Sequence, residues 1–207
     1  MNTSQPTQIY LPPASQTGTM QLQEAIAKRR SIRHFTPEPI SQSQLSQILW
    51  ATQGITDTCS KHRSVPSAGA TYPLEVLIVC GRNSIQETDE GLYRYNIDNH
   101  SLIRRYKGDV RLELARAALG EESIYEAPVA IVICALYERT TLHYGSRGER
   151  YVHIEVGHAG QNIYLEATTL GLATVAIGAF HDEEVRKVLQ LDKPYKPLYI
   201  MPLGKPA

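Results

Sequence analysis

The stretch from about Glu149 to Leu170 is the longest unbroken helical pattern in the chain, and it constrains the fold more than any other feature. It carries the small residues Gly157, Ala159, Gly160 and Ala167 and is closed by Gly171, so another helix can approach it closely. Two shorter helices precede it. From Gln21 to Arg30, Leu22, Ala25, Ile26 and Arg29 recur at helical spacing, and Ser31-Ile32-Arg33-His34-Phe35 before Pro37 ends that helix. Ser41 with Gln44 forms a capping-box pattern, and the helix it opens runs through Leu45, Ile48, Leu49 and Ala51 to Gly54.

Between these helices the period changes from helical to strand-like. Leu74 to Cys80 is a short β-branched run; Tyr93, Tyr95 and Ile97 alternate with polar residues before an Asp98-Asn99 turn and a return run through Leu102. Asp109 to Leu119 reads as a helix stopped by Gly120, and Pro128 opens the most hydrophobic strand, Val129 to Leu136, which is expected to be central. Ala173 to Ile177 and Leu198 to Met201 read as strands flanking a helix from Asp182 to Leu189. The hairpin and the absence of a regular βαβ cadence predict an α+β fold. Residues 1–20, rich in Gln, Thr, Ser and Pro, read as a flexible N-terminal arm, and 21–207 as a single domain.

The 21 basic and 21 acidic residues cancel. Nothing in that balance draws the chain to nucleic acid or to an anionic membrane, and a small-molecule partner is expected. No apolar run approaches the ~20 residues of a membrane helix. Met1 to Gln8 lack a secretion pattern, so a cytoplasmic location is expected. Cys59, Cys80 and Cys134 are widely spaced with no Cys-x-x-Cys pair, which argues against disulfides and zinc; Cys80 and Cys134 read as core thiols. His153 and His158 fall ~140° apart on their helix and cannot face one metal, and no metal site is expected. Dinucleotide, P-loop, nucleophile-elbow and zinc-protease motifs are all absent.

Three segments remain that could carry chemistry. Arg29-Arg30-Ser31-Ile32-Arg33 offers guanidinium forks and a hydroxyl suited to a phosphate dianion, although basic residues at a helix C-terminus also complement its dipole. Arg63-Ser64-Val65-Pro66-Ser67-Ala68-Gly69-Ala70 is a small-residue loop whose backbone a flat ligand could approach, and a plain turn is equally compatible. Gly171 to Phe180, where a strand empties into Gly178-Ala179, reads by itself as cap, strand and turn.

In this order and at this spacing the three segments resemble the nitroreductase superfamily, in particular its azoline-oxidising, SagB-type branch. Tyr72-Pro73-Leu74-Glu75, Gly91-Leu92-Tyr93-Arg94-Tyr95, Val156-Gly157-His158-Ala159-Gly160-Gln161-Asn162 and Pro202-Leu203-Gly204-Lys205-Pro206 extend the likeness over residues 21 to 206. The resemblance implies a mostly antiparallel sheet flanked by helices, in an obligate homodimer with one FMN in each of two interface clefts. Glu149 to Leu170 would then be a dimer helix. On the same basis Arg29, Ser31 and Arg33, with Arg30 beside them, hold the FMN phosphate and ribityl chain, with Lys205 as a second phosphate contact. Pro66, Ser67, Ala68 and Gly69 line the ring from the partner subunit, and the backbone at Gly178 and Ala179 reaches flavin N5. Arg63 or Lys205 supplies positive charge to the reduced ring. His143 and Tyr144, in the loop around residues 139–150, are the candidate catalytic pair for proton movement.

The azoline oxidases carry Lys-Tyr where this chain has His143-Tyr144. Ala70 and Tyr72 stand where simple nitroreductases often carry Asn and Gln. The expected activity is hydride transfer through FMN to or from a small organic substrate, with NADH or NADPH or the substrate itself as electron donor. The alternatives are an azoline dehydrogenase acting on a modified peptide and a non-catalytic flavin-binding scaffold subunit.

Overall fold

Ser41 shows how locally the chain dictates its elements. Its Oγ accepts the Gln44 N–H at 3.1 Å while Gln44 Oε1 accepts the Ser41 N–H at 3.0 Å, closing the capping box at the start of a helix, Gln42–Gln53. That helix fully buries Leu45, Ile48 and Leu49, each worth about 1.5–3 kcal/mol of transfer free energy.

The computed structural model describes residues 8–207. The first seven residues of the expected arm lie outside the described residues. In chain order the first elements are β1 (Gln8–Tyr10), α1 (Leu22–Lys28), α2 (Gln42–Gln53), β2 (Ile55–Asp57) and β3 (His62–Arg63). A 3-10 turn over Ala68–Ala70 leads to β4 (Leu74–Cys80), β5 (Gly91–Asn96), β6 (Ser101–Lys107), α3 (Arg111–Ala117) and α4 (Glu122–Glu126). Then follow β7 (Val129–Leu136), α5 (Glu138–Tyr144), α6 (Arg147–Thr169), β8 (Ala173–Thr174), α7 (Asp182–Val188) and β9 (Tyr195–Gly204).

Among the described residues seven strands form one sheet in the order β1-β6-β5-β4-β7-β9-β8, every pair antiparallel. The α+β expectation holds. Strand alternation divides the core into two layers. Val76, Ile78, Ile131 and Ile133 face α2 and α6 with Leu45, Ile48, Val152 and Val156. Leu77, Val79, Ala130, Val132 and Cys134 face α3 and α7 with Leu114, Val185 and Leu189. Because helices cover both faces, β4 and β7 read as continuous apolar runs. Cys80 and Cys134 are buried free thiols, as expected.

Several elements differ from the sequence reading. Ile9 and Leu11, at strand spacing in a polar segment, lay β1 along the edge of β6, and Leu11 joins the core. The expected arm therefore contains an edge strand. Residues 138–144, expected within a loop, form α5, whose turn into α6 is so close that a Cβ on Gly148 would stand 2.8 Å from Thr141 Cα. The strand expected over Ala173 to Ile177 pairs with β9 at Ala173 and Thr174, breaks, and rejoins β9 at a single bridge between Ile177 and Ile200. The break falls where the Ala176 N–H turns to Tyr164 Oη, at 2.8 Å, instead of to a strand. The small residues of α6 divide their roles. Gly160 lies against Tyr199 of β9, Asn162 donates to Ala51 O of α2 at 2.9 Å, and a Cβ on Gly157 would meet nothing within 4 Å.

Candidate functional site

The basic segment leaves α1 and runs along the sheet edge formed by β8. The Ile32 N–H donates to Thr174 O at 3.0 Å, and farther along the Thr36 N–H donates to Lys205 O at 3.0 Å. This pairing carries Lys205, at the end of β9, to the same edge as Ser31 although 174 positions separate them in sequence.

The side chains of this segment point to different partners. The Arg29 guanidinium lies 5.1 Å from the centroid of the Tyr164 ring, and Ser31 Oγ and Tyr164 Oη share a 2.9 Å hydrogen bond. Arg30 turns back and donates to Ala27 O at 2.9 Å and Arg29 O at 2.7 Å, closing the C-terminus of its own helix. Arg33 is exposed, and neither it nor Arg29 has a carboxylate partner among the described residues. Lys205 is engaged by Glu38. Two buried hydroxyls along this edge, Thr36 Oγ1 and Thr174 Oγ1, have no hydrogen-bond partner among the described residues.

The second segment is a tightly held loop. Gly69, Ala70 and Tyr72 all have positive φ, at 59°, 51° and 45°, a backbone that side-chain-bearing residues adopt at a cost. Surrounding bonds hold it there. The Tyr72 N–H donates to Ser67 Oγ at 2.9 Å, Arg139 Nη1 donates to Tyr72 O at 2.9 Å, and Thr71 Oγ1 meets Thr140 Oγ1 of α5 at 2.8 Å. Arg139 Nη2 also reaches the buried carboxylate of Glu75 at 2.7 Å. Arg63 stacks over Tyr72 at 4.3 Å and donates to Gln53 Oε1 at 2.9 Å.

Tyr144, near the end of α5, stands over this loop. Its hydroxyl occupies the space a Cβ on Gly69 would need, and its ring meets His143 and Tyr151 edge-on at 4.6 and 5.1 Å. Below the loop lies Glu155 of α6, 3% exposed. Its Oε1 and the neighbouring Gln53 Nε2 are both buried without a hydrogen-bond partner among the described residues. Burial pushes the Glu155 pKa up to about 7, against the opposing pull of Ser67, Arg63 and Gln53. Burial also draws the pKa of Arg63 down.

The sequence-derived residues thus fall into two groups. Arg29, Ser31, Arg33 and Lys205 share one edge, and Tyr164 ties that edge through Ala176 to the exposed Gly178 and Ala179, whose N–H groups make no hydrogen bond among the described residues. Arg63, Pro66, Ser67, Ala68, Gly69, His143 and Tyr144 form the other group. Along α6, Tyr164 and Glu155 are separated by about 13 Å of helix rise.

Sequence reasoning missed Tyr164, Gln53 and Glu155. Glu155 left a signal, an acid on the stripe of Val152, Val156 and Ala159 that packs into the core. Tyr164 left none, since its partners at positions 29, 31 and 176 meet only in three dimensions.

A family model described as the nitroreductase family matches residues 26–205. The nitroreductase-type protein MJ1384 of Methanocaldococcus jannaschii is 47% identical over 186 residues, covering 90% of this chain and 91% of that protein. At lower identity, the microcin B17-processing protein McbC of Escherichia coli is 27% identical over 66% of this chain and 52% of its own length. The FMN reductase [NAD(P)H] of Bacillus subtilis is 26% identical over 89% of this chain and 65% of its own length. A crystal structure of a nitroreductase-type protein from Ralstonia eutropha superposes with a TM-score of 0.84 at 25% identity, covering 97% of this chain and 90% of that one.

Proposed function

This chain belongs to the nitroreductase family and is on that ground a flavin-type oxidoreductase, and we propose that it binds FMN between two copies of itself and acts on a small organic substrate. The observation that carries the cofactor reading is the donor set at the β8 edge. Two guanidinium groups without carboxylate partners among the described residues, a hydroxyl, and an ammonium that now pairs with Glu38 suit a phosphate dianion, and Arg30, which closes its helix instead, is not needed. Arg29, Ser31, Arg33 and Lys205 hold the phosphate end, and Gly178 and Ala179 offer free N–H groups to the ring.

The partner subunit supplies the Pro66–Gly69 loop. Its support is the division of the residues into two groups on one chain, together with the open surface of α6 at Gly157 and the half-exposed Ile154. When bound, FMN supplies hydride acceptance and donation at N5. The protein's own part is placement and proton handling: the strained loop fixes a surface for a flat ring, Arg63 brings positive charge beside it, and Tyr144 with His143 moves a proton at the tyrosine hydroxyl.

The test is the absorbance of the purified protein with and without NADH or NADPH under anaerobic conditions. A flavin spectrum bleached by either nucleotide supports a reductase. A protein that is colourless and takes up no added FMN overturns the reading, and a stable FMN-loaded monomer in size-exclusion chromatography overturns the two-subunit cleft. A second reading, dehydrogenation of an azoline ring in a modified peptide, is favoured by the likeness to McbC and opposed by His143 in the lysine position. Flavin that neither nucleotide reduces but a thiazoline peptide does would select it. Flavin inert to all three points to a binding subunit without turnover.

A further inference from the structure

Tyr164 holds a place in the site that the family reading does not assign. Three groups from distant parts of the chain meet on this half-buried side chain: the Arg29 guanidinium at 5.1 Å from the ring centroid, Ser31 Oγ at 2.9 Å and the Ala176 N–H at 2.8 Å. One of these bonds has a fixed direction, and the other can run either way. A backbone N–H can only donate, so Tyr164 Oη accepts from Ala176, and its own proton is available to Ser31 Oγ. When Ser31 Oγ accepts that proton, the serine's own hydroxyl proton is free to donate outward, on the same edge where Arg29 lies.

We propose that Tyr164 is a positioning residue of the anion site, taking the Ala176 N–H and giving its proton to Ser31 so that the Ser31 hydroxyl donates to the phosphate of the bound flavin nucleotide. The ring of Tyr164 at the same time holds the Arg29 guanidinium, and the Ala176 bond fixes the Gly178-Ala179 loop relative to the phosphate end. A leucine or phenylalanine at this position would fill the space but could not orient the serine. The inference rests on the reading of Arg29, Ser31 and Arg33 as phosphate ligands.

The experiment titrates flavin-stripped protein with FMN and with riboflavin, which lacks the phosphate, and follows flavin fluorescence. The wild type is expected to bind FMN much more tightly than riboflavin. Tyr164→Phe keeps the ring and removes the hydroxyl. It is expected to weaken FMN about tenfold, the scale of one hydrogen bond to a charged group, and to leave riboflavin unchanged. Ser31→Ala should lose a similar factor, and the double variant no more than either alone. Tyr164→Leu, which also removes the ring beneath Arg29, should lose more, and thermal melts verify that each variant is folded.

Unchanged FMN affinity in Tyr164→Phe, equal weakening of FMN and riboflavin, or additive losses in the double variant each overturn the inference. A wild type that does not prefer FMN over riboflavin overturns it together with the phosphate reading. If the wild type prefers FMN, and Arg29→Ala with Arg33→Ala erases that preference while Tyr164→Phe does not, the phosphate reading stands and the role of Tyr164 falls.

Discussion

The hydroxyl of Tyr144 lies 2.7 Å from the point where a Cβ on Gly69 would stand. The residue that closes α5 and the loop before β4 are therefore fitted to one another, and Gly69 also sits at a φ of 59° that favours glycine. Both constraints act on the same substitution. Gly69→Ala is expected to cost about 1–2 kcal/mol from backbone conformation and to displace Tyr144 as well. A thermal melt should show the lower stability, and turnover should fall further than stability alone accounts for. Unchanged turnover in the folded variant would remove Tyr144 from the mechanism.

The four polar residues of the basic segment should separate by role. Arg29→Ala and Arg33→Ala are each expected to weaken FMN about ten- to a hundredfold, as for loss of a charge-assisted hydrogen bond. Arg30→Ala, which removes only a cap on Ala27 O and Arg29 O, should lower stability by about 0.5–1 kcal/mol and leave FMN affinity within about twofold. Isothermal titration with FMN reads the first effect and denaturant unfolding the second. Equal effects of all three arginines on affinity would contradict the assignment.

Lys205 must leave Glu38 to meet a phosphate. Both side chains are largely exposed, so breaking the pair costs little, on the order of 0.5 kcal/mol. Glu38→Gln should therefore leave the melting temperature nearly unchanged and tighten FMN a few-fold by freeing the ammonium. Weaker binding in this variant would show that Glu38 positions Lys205 for the ligand instead of competing with it.

Glu155 gives the protein a pH dependence of definite sign. Its folded pKa, about 7, lies above the ordinary 4.5, so the folded state binds the proton more tightly than the unfolded one. Its contribution to stability is fully present below about pH 4.5 and is lost as pH rises through about 7. Glu155→Gln, which cannot ionise, should lose less stability than the wild type across that window and be the more stable of the two at about pH 8, by on the order of 2 kcal/mol. Melting curves of the two proteins as a function of pH test this, and parallel pH profiles would rule it out.

The capping box at Ser41, the buried run Leu74–Cys80 and the strand Val129–Leu136 were legible because each is decided by residues within a few positions of one another. The hairpin of β5 and β6 and the rotation of Arg29 to the end of α1 follow in the same way. Other features carry no such mark. Gln8–Tyr10 is a strand because β6 has a free edge to receive it, and Glu138–Tyr144 is a helix because α6 and the Ala68–Ala70 turn pack against it. The candidate site divides along the same line: its arginines, serine and glycines stand out as residue types, whereas Tyr164 and Gln53 do not.

The sequence by itself determined the α+β class, most element positions, the two buried thiols and the family to which the chain belongs, because short-range periodicity, capping and motif order are all local properties. Only the tertiary structure decided which polar groups share a site. It turned Arg30 away and tied Lys205 to Glu38. It set Ser31 and Arg29 on Tyr164, and left Glu155 buried beneath the Ser67 loop. Hydrogen-bond direction and desolvation depend on which groups lie within a few ångströms in space, and for residues as far apart as 31, 164 and 176 the packing of α6 against the sheet sets those distances.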